Sequence, residues 1–554
     1  MKRGRDNLPA AVYTTAQVRA FDRIAIEERG IPGYELMCRA GRAALDVLAA
    51  RWPDAHKVAV VCGAGNNAGD GYVVARLARA AGYSVRLEAV VPPERLRGDA
   101  KQAWEDCRAA GVAAVPFGRA REDGFVPDVV VDALLGTGLD RPVEGAFAAA
   151  IDALNAAGAP ILALDVPSGL DADTGRVMNV AVRADVTVTF VGLKQGLFLG
   201  EAPDYRGELE FSDLMVPPDV YAGAPPALER LTPALLERAL PRRARTAHKG
   251  TNGRVLLVGG GPGMPGAIRL AAEAALRVGA GLVYVATWRD SVVPVMAGRP
   301  ELMCRAVETV DDLEPLLELA DVVVVGPGLG RSEWARRLFR RVLASARPLV
   351  VDADGLNLLA EAPERRGNWV LTPHPGEASR LLGRSVGDVQ ADRLGAVREL
   401  VARFDATVVL KGACSLVGTT RVDRGTARVH GGTAAGVTAT ADGTAAEGTP
   451  TADGTAAADG APADGAATAR AHTGAADVAV CDYGNPGMGT GGTGDVLAGV
   501  LGGLAGQLGD LARAARAGVL LHALAGDDAA ADGGERGMAA SDLLPALRRR
   551  ANPR

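Results

Sequence analysis

The sequence is poor in aromatic residues, histidine and cysteine. Of its 554 residues, 4% are Phe, Trp or Tyr, six are histidine and six are cysteine. The cysteines show no CxxC or other metal-ligating spacing, so we expect reduced, mostly buried thiols of a cytoplasmic protein rather than a zinc site. The opening stretch MKRGRDNLPA lacks the apolar run of a signal peptide. No run of about 18 apolar residues predicts a membrane-spanning helix.

An excess of positive charge is also absent. The net charge is −5, from 61 Lys and Arg against 66 Asp and Glu, which argues against a general nucleic-acid-binding protein. The short basic runs Arg242–Arg245 and Arg548–Arg550 are expected to be solvated. The length indicates two or three domains, and 48% hydrophobic residues suffice to form their cores.

Glycine, in contrast, is abundant, and it is most concentrated in Gly484–Asp495, GNPGMGTGGTGD. An apolar helix is predicted to begin there, over Asp495–Leu508. Such a loop can direct several backbone N–H groups at an anion bound at a helix N-terminus. Asp495 would then lie beside a phosphate, placed to abstract a proton. The alternative is a tight turn in which the helix dipole favours an aspartate; five glycines within Gly487–Gly494 argue against it.

The first half begins with the pattern of a doubly wound α/β domain. Lys57–Cys62 is a short apolar strand, and it leads through Gly63–Gly71, GAGNNAGDG, into a helical pattern. The loose G-x-G-x-x-A match in this turn is weak alone, because many strand-to-helix turns need glycine for packing. The amides of Asn66 and Asn67, followed by Asp70, are a more specific sign of ligand binding.

Two further strands of the first half carry carboxylates. Asp128–Leu135 and Ile161–Val166 are apolar except for their aspartates, and a buried carboxylate is costly unless it is paired or liganded. The carboxyl ends of parallel strands line one crevice. Each polar residue alone could be a cap or a turn residue, but together they are expected to converge, with Lys194 in reach; the residues are Asn67, Asp132, Asp165 and Ser168.

These segments carry a family resemblance. NNAGDG, DALLGTGLDRP, LDVPSGLDADTG and LKQG together resemble the epimerase domain of the bifunctional NAD(P)H-hydrate repair enzymes, over about Thr14–Pro217. In that family the substrate is a nicotinamide dinucleotide damaged by the addition of water at C6 of the ring. The domain interconverts the R and S hydrates. The resemblance implies a Rossmann-like fold for this half.

The resemblance also implies roles for individual residues. Asp165 lies beside the substrate, and we assign it the acid/base role as a hypothesis. A potassium ion is implied at Asn67, Asp132 and Ser168. Ala68 stands where the family more often has glycine, and its methyl group is expected to crowd the approach of the phosphates. The residues implied to hold the dinucleotide are Asn66, Asn67, Ala68, Gly69, Asp70, Gly136, Thr137, Gly138, Leu139, Asp140, Arg141, Pro142 and Asp165.

The second half repeats the alternation of strand, glycine turn and helix. The strand Arg254–Val258 precedes GGGPGMPG, which fits G-x-G-x-x-G, but the next strand, Gly281–Thr287, is followed by Trp-Arg instead of an acidic residue. This argues against a nicotinamide-dependent dehydrogenase. No P-loop sequence occurs. The strands then precede GPGLG, ADGLN, TPHPGE and KGACS, which predicts a second, largely parallel α/β unit. His374, between two prolines, is either a loop histidine or a ligand contact.

A second resemblance covers this half. HKGTNGRVLLVGG, RVGAGLVYVAT, GPGLG, VVDADGLN, TPHPGE, LKGACS and GNPGMGTGGTGD closely resemble the ADP-dependent NAD(P)H-hydrate dehydratase domain, which has a ribokinase-like fold, over about Thr246–Leu547. That family phosphorylates the hydrate's hydroxyl from ADP and eliminates phosphate, which restores NAD(P)H. The resemblance implies Asp495 as the base, with Mg²⁺ in this domain. The implied hydrate contacts are Ala280, Gly328, His374 and Asp495, and the implied nucleotide contacts are Lys411, Gly412, Ala413, Cys414, Ser415 and Gly494.

The sequence therefore predicts an epimerase fused to an ADP-dependent dehydratase, both α/β. The expected boundaries are 1–221 for the first domain, 222–245 for a linker and 246–554 for the second domain. A low-complexity insertion at 431–476, rich in Ala, Gly, Thr and Asp, is expected to be disordered.

The expected partners are ADP and the hydrates of NADH and NADPH (NADHX and NADPHX). We expect no binding to nucleic acid or membrane, and we expect a homo-oligomer. One alternative remains open on the residues alone. It is a ribokinase-like kinase of a small hydroxylated metabolite, with a non-catalytic dinucleotide-binding N-terminal domain.

Overall fold

The structure is a computed structural model, and it describes residues 4–118, 124–420 and 477–552. Within these ranges the strands are β1 Ala11–Tyr13, β2 Lys57–Cys62, β3 Ser84–Ala89, β4 Ala114–Pro116, β5 Val129–Ala133, β6 Ile161–Leu164, β7 Val186–Phe190, β8 Leu193–Lys194, β9 Glu208–Ser212, β10 Leu228–Arg230, β11 Arg254–Val258, β12 Leu282–Thr287, β13 Met303–Ala306, β14 Val322–Val325, β15 Leu349–Val351, β16 Trp369–Leu371, β17 Thr407–Leu410, β18 Ser415–Thr419 and β19 Asp477–Cys481.

The α-helices of the same ranges are α1 Thr15–Arg23, α2 Gly33–Arg51, α3 Asn66–Ala80, α4 Gly98–Ala109, α5 Gly145–Asn155, α6 Ala234–Ala239, α7 Pro265–Arg277, α8 Val292–Met296, α9 Val310–Leu319, α10 Glu333–Leu343, α11 Asp354–Glu361, α12 Pro375–Leu382, α13 Val386–Ala391, α14 Arg393–Phe404, α15 Thr493–Leu508, α16 Leu511–Gly533 and α17 Leu543–Arg550. None of these helices, in the part of the chain that is described, is long and apolar enough to cross a membrane.

The first half is built on a seven-stranded parallel sheet with the order β4-β3-β2-β5-β6-β7-β9. The chain starts in the middle at β2, moves outward to β4 and then returns to β5 on the other side. This is the strand order of a Rossmann-like domain, which confirms the predicted fold class. Both faces of the sheet are buried, because Val58 and Val60 belong to one apolar core and Ala59 and Val61 to another.

The second half is built on a twelve-stranded sheet with the order β13-β12-β11-β14-β15-β16-β17-β18-β19-β10-β1-β8. The strands from β13 to β17 are parallel, and β18 is antiparallel to both of its neighbours. The parallel part reverses its strand order between β11 and β14, as β2 and β5 do in the other sheet. Both sheets therefore have a crevice where ligands bind in open α/β folds.

The last three strands of the larger sheet come from outside the second half. β1 and β8 belong to the predicted epimerase domain, and β10 belongs to the predicted linker 222–245. One apolar core accordingly contains Val12, Leu193 and Leu228 together with Leu416 and Val480. The linker prediction was wrong in treating this segment as a connector only. A three-residue strand is too short to show the alternation by which strands are recognised in a sequence.

The predicted insertion at 431–476 lies outside the described residues. All six cysteines are described; they are free thiols, four of them buried, as predicted.

Candidate active sites

The first site is a cavity of about 930 Å³ at the carboxyl ends of β2, β5 and β6. Its size is that of a small-molecule pocket. Eleven of the thirteen predicted dinucleotide contacts line it: Asn66, Asn67, Asp70, Gly136, Thr137, Gly138, Leu139, Asp140, Arg141, Pro142 and Asp165.

The two predicted contacts that do not line the cavity are Ala68 and Gly69. Residues 66–70 form the first turns of α3 rather than an irregular loop. Ala68 is fully buried in the apolar core beneath the helix. The expectation that its methyl group crowds the phosphates was therefore wrong, because in a helix the side chains at neighbouring positions point in different directions.

Asp165 follows β6 with a φ of 67°, which is rare for a residue other than glycine. Its Oδ1 accepts hydrogen bonds from Thr189 Oγ1 at 3.2 Å, from Phe190 N at 3.3 Å and from the ammonium of Lys194. Lys194 is buried and also donates to the Phe190 carbonyl oxygen at 2.7 Å. The lysine and the left-handed backbone together fix one carboxylate at the cavity wall.

Two of the other carboxyl groups that line the same cavity have raised pKa values. Burial raises the pKa of Asp22 to about 6, with Lys194 opposing the shift and Asp165 adding to it. Burial also raises the pKa of Asp70 well above its ordinary value, and the charges of Asp165 and Asp22 raise it further. Asp22 was not predicted from the sequence. It lines the cavity together with Val18 and Ile26 from one face of the first helical segment, a placement that only the folded chain shows.

Asn67, at the cavity wall, and the buried pair Asp132 and Ser168 lie around Leu135, whose backbone is hydrogen-bonded to both Asn67 and Ser168. Ser168 donates from N to Asp132 Oδ2 at 2.8 Å and from Oγ to Asp132 Oδ1 at 2.6 Å. Asn67 Nδ2 donates to the Leu135 carbonyl oxygen at 2.9 Å, whereas its Oδ1 is buried without a hydrogen-bond partner. An orphaned amide oxygen near a buried carboxylate suits a hard cation.

The second site gathers side chains from the carboxyl ends of β15, β16 and β17. Lys411 Nζ lies 2.7 Å from Asp352 Oδ1 and 3.7 Å from Glu377 Oε2. Thr372 Oγ1 donates to Asp352 Oδ1 at 2.7 Å. Although burial alone would lower the pKa of Lys411, Asp352 and Glu377 raise it above its ordinary value. Asp352 and Glu377 were not among the residues predicted from the sequence.

The glycine-rich loop brings Asp495 to this cluster. Gly492 has a φ of 95° and precedes α15, which has Asp495 in its first turn. A Cβ placed on Gly494 would lie 3.4 Å from Lys411 Nζ and 3.8 Å from Asp352 Oδ2. Burial, together with the charge of Asp352, raises the pKa of Asp495 to about 7, although Lys411 opposes the shift. The loop predicted to hold an anion thus lies beside a cation and a carboxyl group poised near neutrality.

His374 caps α12 at the edge of the same site. Its Nδ1 accepts a hydrogen bond from Gly376 N at 3.0 Å, and its Nε2 lies 3.6 Å from Glu377 Oε1. Burial and the neighbouring charges of Lys411 and Arg380 lower the pKa of His374. The side chain is half exposed. A neutral imidazole is therefore available to a ligand.

The prediction for Ala280 was wrong. Gly281 N donates to the carbonyl oxygens of Asn252 and Gly253, which precede β11, so Ala280 lies at the amino edge of the parallel sheet. The site lies at the carboxyl edge, across the six residues of β12, or roughly 20 Å. The alanine near the site is Ala267, whose Cβ would be 3.1 Å from a Cβ on Gly328. Ala267 follows the glycine turn after β11, and this position in the sequence distinguishes it from Ala280.

The KGACS segment is the turn between β17 and β18. Arg393 Nη2 donates to the carbonyl oxygens of Leu410, Lys411 and Cys414 at 3.2–3.4 Å, which holds the turn in place. The Cys414 thiol is buried, and burial raises its pKa although Arg206 opposes the shift. Lys411 is the residue of this segment whose side chain reaches Asp352 in the second site.

Comparisons with known proteins match both halves. Residues 33–196 match the family model described as YjeF-related protein N-terminus. Residues 255–435 and 464–549 match the model described as NAD(P)H-hydrate dehydratase.

Similar proteins span the full chain. The bifunctional NAD(P)H-hydrate repair enzyme Nnr of Coxiella burnetii is 45% identical over 98% of this chain and 99% of its own. The enzyme of the same name from Escherichia coli is 40% identical over 100% and 96%. The bifunctional NAD(P)H-hydrate repair enzyme of Leishmania braziliensis is 34% identical over 97% and 92%.

Solved structures match part of the chain. A ribokinase-like superfamily protein from Enterococcus faecalis is 26% identical, over 58% of this chain and 94% of its own, with a TM-score of 0.46. An ADP/ATP-dependent NAD(P)H-hydrate dehydratase from Bacillus subtilis is 24% identical, over 58% and 98%, with a TM-score of 0.44.

Proposed function

This chain belongs to the bifunctional NAD(P)H-hydrate repair enzymes, and on that premise we propose that its two sites act in succession on one damaged metabolite. The first site interconverts the R and S hydrates of NADH and NADPH. The second site phosphorylates the S hydrate from ADP and eliminates phosphate, which gives NAD(P)H, AMP and phosphate. The observation that carries the proposal is that each half gathers its own lysine and carboxyl groups at the carboxyl ends of the parallel strands of its own sheet.

In the first site we assign the proton transfer to Asp165. Lys194, Thr189 and Phe190 all donate to its Oδ1, so Oδ2 is the atom that is left to meet the substrate. Inversion at the hydrated carbon requires the hydroxyl group to leave one face as water and a water molecule to add from the other. A carboxylate fixed at the ring can receive and return the proton in these steps. Asp22 and Asp70 supply carboxyl groups in the same cavity that burial favours in the protonated form.

A potassium ion suits the cluster of Asn67, Asp132 and Ser168. The orphaned Asn67 Oδ1 and the buried Asp132 carboxylate are hard oxygen donors of the kind such an ion takes. Bound there, the ion would supply positive charge behind the loop Gly136–Pro142 and so favour the phosphates of the dinucleotide.

In the second site the glycine-rich loop meets the phosphates of the adenine nucleotide, which would bring Mg²⁺ with them. Backbone N–H groups at the start of the 16-residue helix α15 favour negative charge. Lys411, adjacent to Gly494, adds a full positive charge. Asp495 takes the proton of the substrate hydroxyl as the phosphoryl group is transferred, a role for which a pKa of about 7 is suited.

The proposal is tested by incubating the protein with ADP, Mg²⁺ and separate preparations of R and S hydrated NADH. Recovery of NADH is followed by the absorbance of the reduced nicotinamide, and free phosphate is measured alongside. We expect the S hydrate to be restored with one phosphate released per NADH, and the R hydrate to be restored through the S form. A phosphorylated product that accumulates without NADH would identify a kinase instead. ATP in place of ADP tests the phosphoryl donor.

The cytoplasmic location, the homo-oligomer and the division into domains 1–221 and 246–554 remain parts of this proposal, with residues 222–245 contributing β10 to the larger sheet. Size-exclusion chromatography with light scattering measures the oligomeric state directly.

A further inference from the structure

The strand that leads into the glycine-rich loop, β19, pairs with a strand from the first half of the chain. β19 pairs on one side with β18 and on the other with β10, and β10 in turn pairs with β1. Arg230 N donates to the Ala10 carbonyl oxygen at 2.7 Å, and Leu231 N donates to the Val480 carbonyl oxygen at 2.9 Å. The residues directly after β19 are Asp482, Tyr483 and Gly484, where the loop begins.

A buried ion pair fastens this junction. Arg230 Nε lies 2.9 Å from Asp482 Oδ1, and both side chains are almost fully buried. The two atoms are in ionic contact but not in hydrogen-bond geometry. The remaining nitrogen atoms of Arg230 donate to the carbonyl oxygens of Arg5 and Leu8 and to the Tyr483 hydroxyl oxygen. One guanidinium thus connects the N-terminal segment with the root of the loop.

Two further contacts run from the N-terminal segment to the loop. The Tyr483 hydroxyl donates to Asp6 Oδ1 at 2.7 Å. Arg5 Nη1 lies 3.6 Å from Asp527 Oδ2. The same Asp527 carboxylate accepts from Gly484 N at 3.1 Å and from Asn485 Nδ2 at 3.2 Å. Arg5 therefore pairs with the carboxylate that holds the first two residues of the loop.

We propose that residues 5–13 position the glycine-rich loop of the dehydratase site, so that the epimerase half contributes positioning residues to the second reaction. This inference rests on the proposed function. Neither Arg5 nor Asp6 lines the first cavity, and their side chains contact Tyr483 and Asp527 at the start of the loop. The loop must keep its N–H groups fixed before the nucleotide arrives, because a loop that orders only on binding reduces affinity by the cost of ordering.

The test is the double variant Arg5→Ala/Asp6→Ala in the full chain, compared with Arg29→Ala. Arg29 is a matched control, since it belongs to the same half and makes an exposed ion pair with Asp219, away from the loop. We expect the KM for ADP to rise about five- to thirty-fold, as for the loss of one hydrogen bond to a charged group and one partly exposed ion pair. We expect kcat to change less and the R-to-S rate to remain unchanged. Arg5→Lys/Asp6→Glu should restore most of the affinity.

A second measurement does not depend on activity. Amide hydrogen exchange of residues 484–495 should be faster in the double variant and unchanged in Arg29→Ala. An unchanged exchange rate with an unchanged KM for ADP would overturn the proposal. A fall of both activities together with the unfolding temperature would also overturn it, in favour of a general role in stability. Failure of the proposed function would show instead as a lack of NADH recovery by the unsubstituted chain.

Discussion

The two sites use the same pair of residue types in opposite ways. In the first, Lys194 pairs with Asp165, the carboxylate assigned to the chemistry. In the second, Lys411 pairs with Asp352, and Asp495 is a separate carboxyl group nearby. Burial without a directly bound cation favours the protonated form of a carboxyl group, and it raises the pKa of Asp495 to about 7. The difference separates a carboxylate held in place by a bound lysine from a carboxyl group whose lysine neighbour is paired with another residue.

This contrast follows from the positions of the groups in the fold. Asp165 directly follows β6 and is met by Thr189 of the adjacent strand β7 and by Lys194, which follows β7 in the chain and lies in β8 of the larger sheet. Asp495 lies on a helix that starts after a loop, and it reaches the strand-end cluster from outside the sheet. The first aspartate receives its partners from β7 and from the segment directly after β7, so they are close to it in the fold. The second aspartate receives its neighbours only when the loop is in place.

The largest expected effect is that of Asp495→Asn. Loss of the base should lower kcat for dehydration by about 10³-fold, within the range for general base catalysis. The variant should keep the R-to-S rate, since the two activities use separate carboxylates. Steady-state recovery of NADH from the pure S hydrate measures the first effect, and chromatographic separation of the hydrates measures the second. Dehydration at the unsubstituted rate would remove Asp495 from the mechanism.

The converse variant, Asp165→Asn, should reduce R-to-S conversion by about 10²-fold, towards the spontaneous rate. S hydrate should still be dehydrated normally. Because the variant keeps its own dehydratase activity, recovery of NADH from the pure R hydrate by an excess of the variant, with ADP and Mg²⁺, then reports epimerisation alone. If the variant still converted R to S at the rate of the unsubstituted chain, the proton transfer would have to be reassigned, with Asp22 and Asp70 as the first candidates because burial raises the pKa of both.

The pH profiles of the two activities should differ. Asp495 acts as a base only when ionised, so kcat/KM for dehydration should fall about tenfold per pH unit below pH 7 and level off above it. The epimerase should show its inflection near pH 6, where Asp22 titrates beside Asp165. Replacing Asp22 with Asn should remove that inflection and leave the dehydratase profile unchanged. Coincident profiles for both activities would contradict the separation of the two carboxyl environments.

The smallest effects concern two alanines. Ala267→Val adds two methyl groups beside Gly328 and should raise the KM for the S hydrate about fivefold. Ala280→Ser, at the opposite edge of the sheet, should leave that KM unchanged. A titration of hydrate at saturating ADP compares the two variants. An effect of Ala280→Ser larger than that of Ala267→Val would mean that the substrate does not bind at the carboxyl edge.

The sequence was most informative where apolar strands end in glycine or in a carboxylate. β2 and β11 have the predicted bounds, Lys57–Cys62 and Arg254–Val258, because a polar residue and a glycine turn delimit each. The convergence of Asn67, Asp132 and Ser168 followed from the rule that parallel strands end at one edge. For the same reason, Lys194 could be predicted to reach the crevice, and it does.

Other features could not be obtained in this way. Asp22 reaches the first site from α1, more than 100 residues before Asp165, and nothing local connects them. Ala280 was wrongly assigned to the hydrate site because Ala267 and Ala280 both follow glycine turns, and only the direction of the strands shows which of them lies at the carboxyl edge. β10 consists of three residues, and its two partners are β1 and β19, at opposite ends of the chain. Pairing over such separations is a property of the folded sheet rather than of any local pattern.

The position of β10 has a practical consequence for any attempt to produce the protein as two fragments. A cut between residues 245 and 246, which the sequence suggests as a domain boundary, would leave β19 as an edge strand on one fragment and β10 as an edge strand on the other. Exposed edges of this kind promote aggregation. Produced together, the two fragments should reassociate by strand addition, with Arg230 and Asp482 selecting the register. Because the pairing of β10 with β19 would join the two fragments, the protein is a candidate for split-protein complementation, with recovery of NADH as the signal.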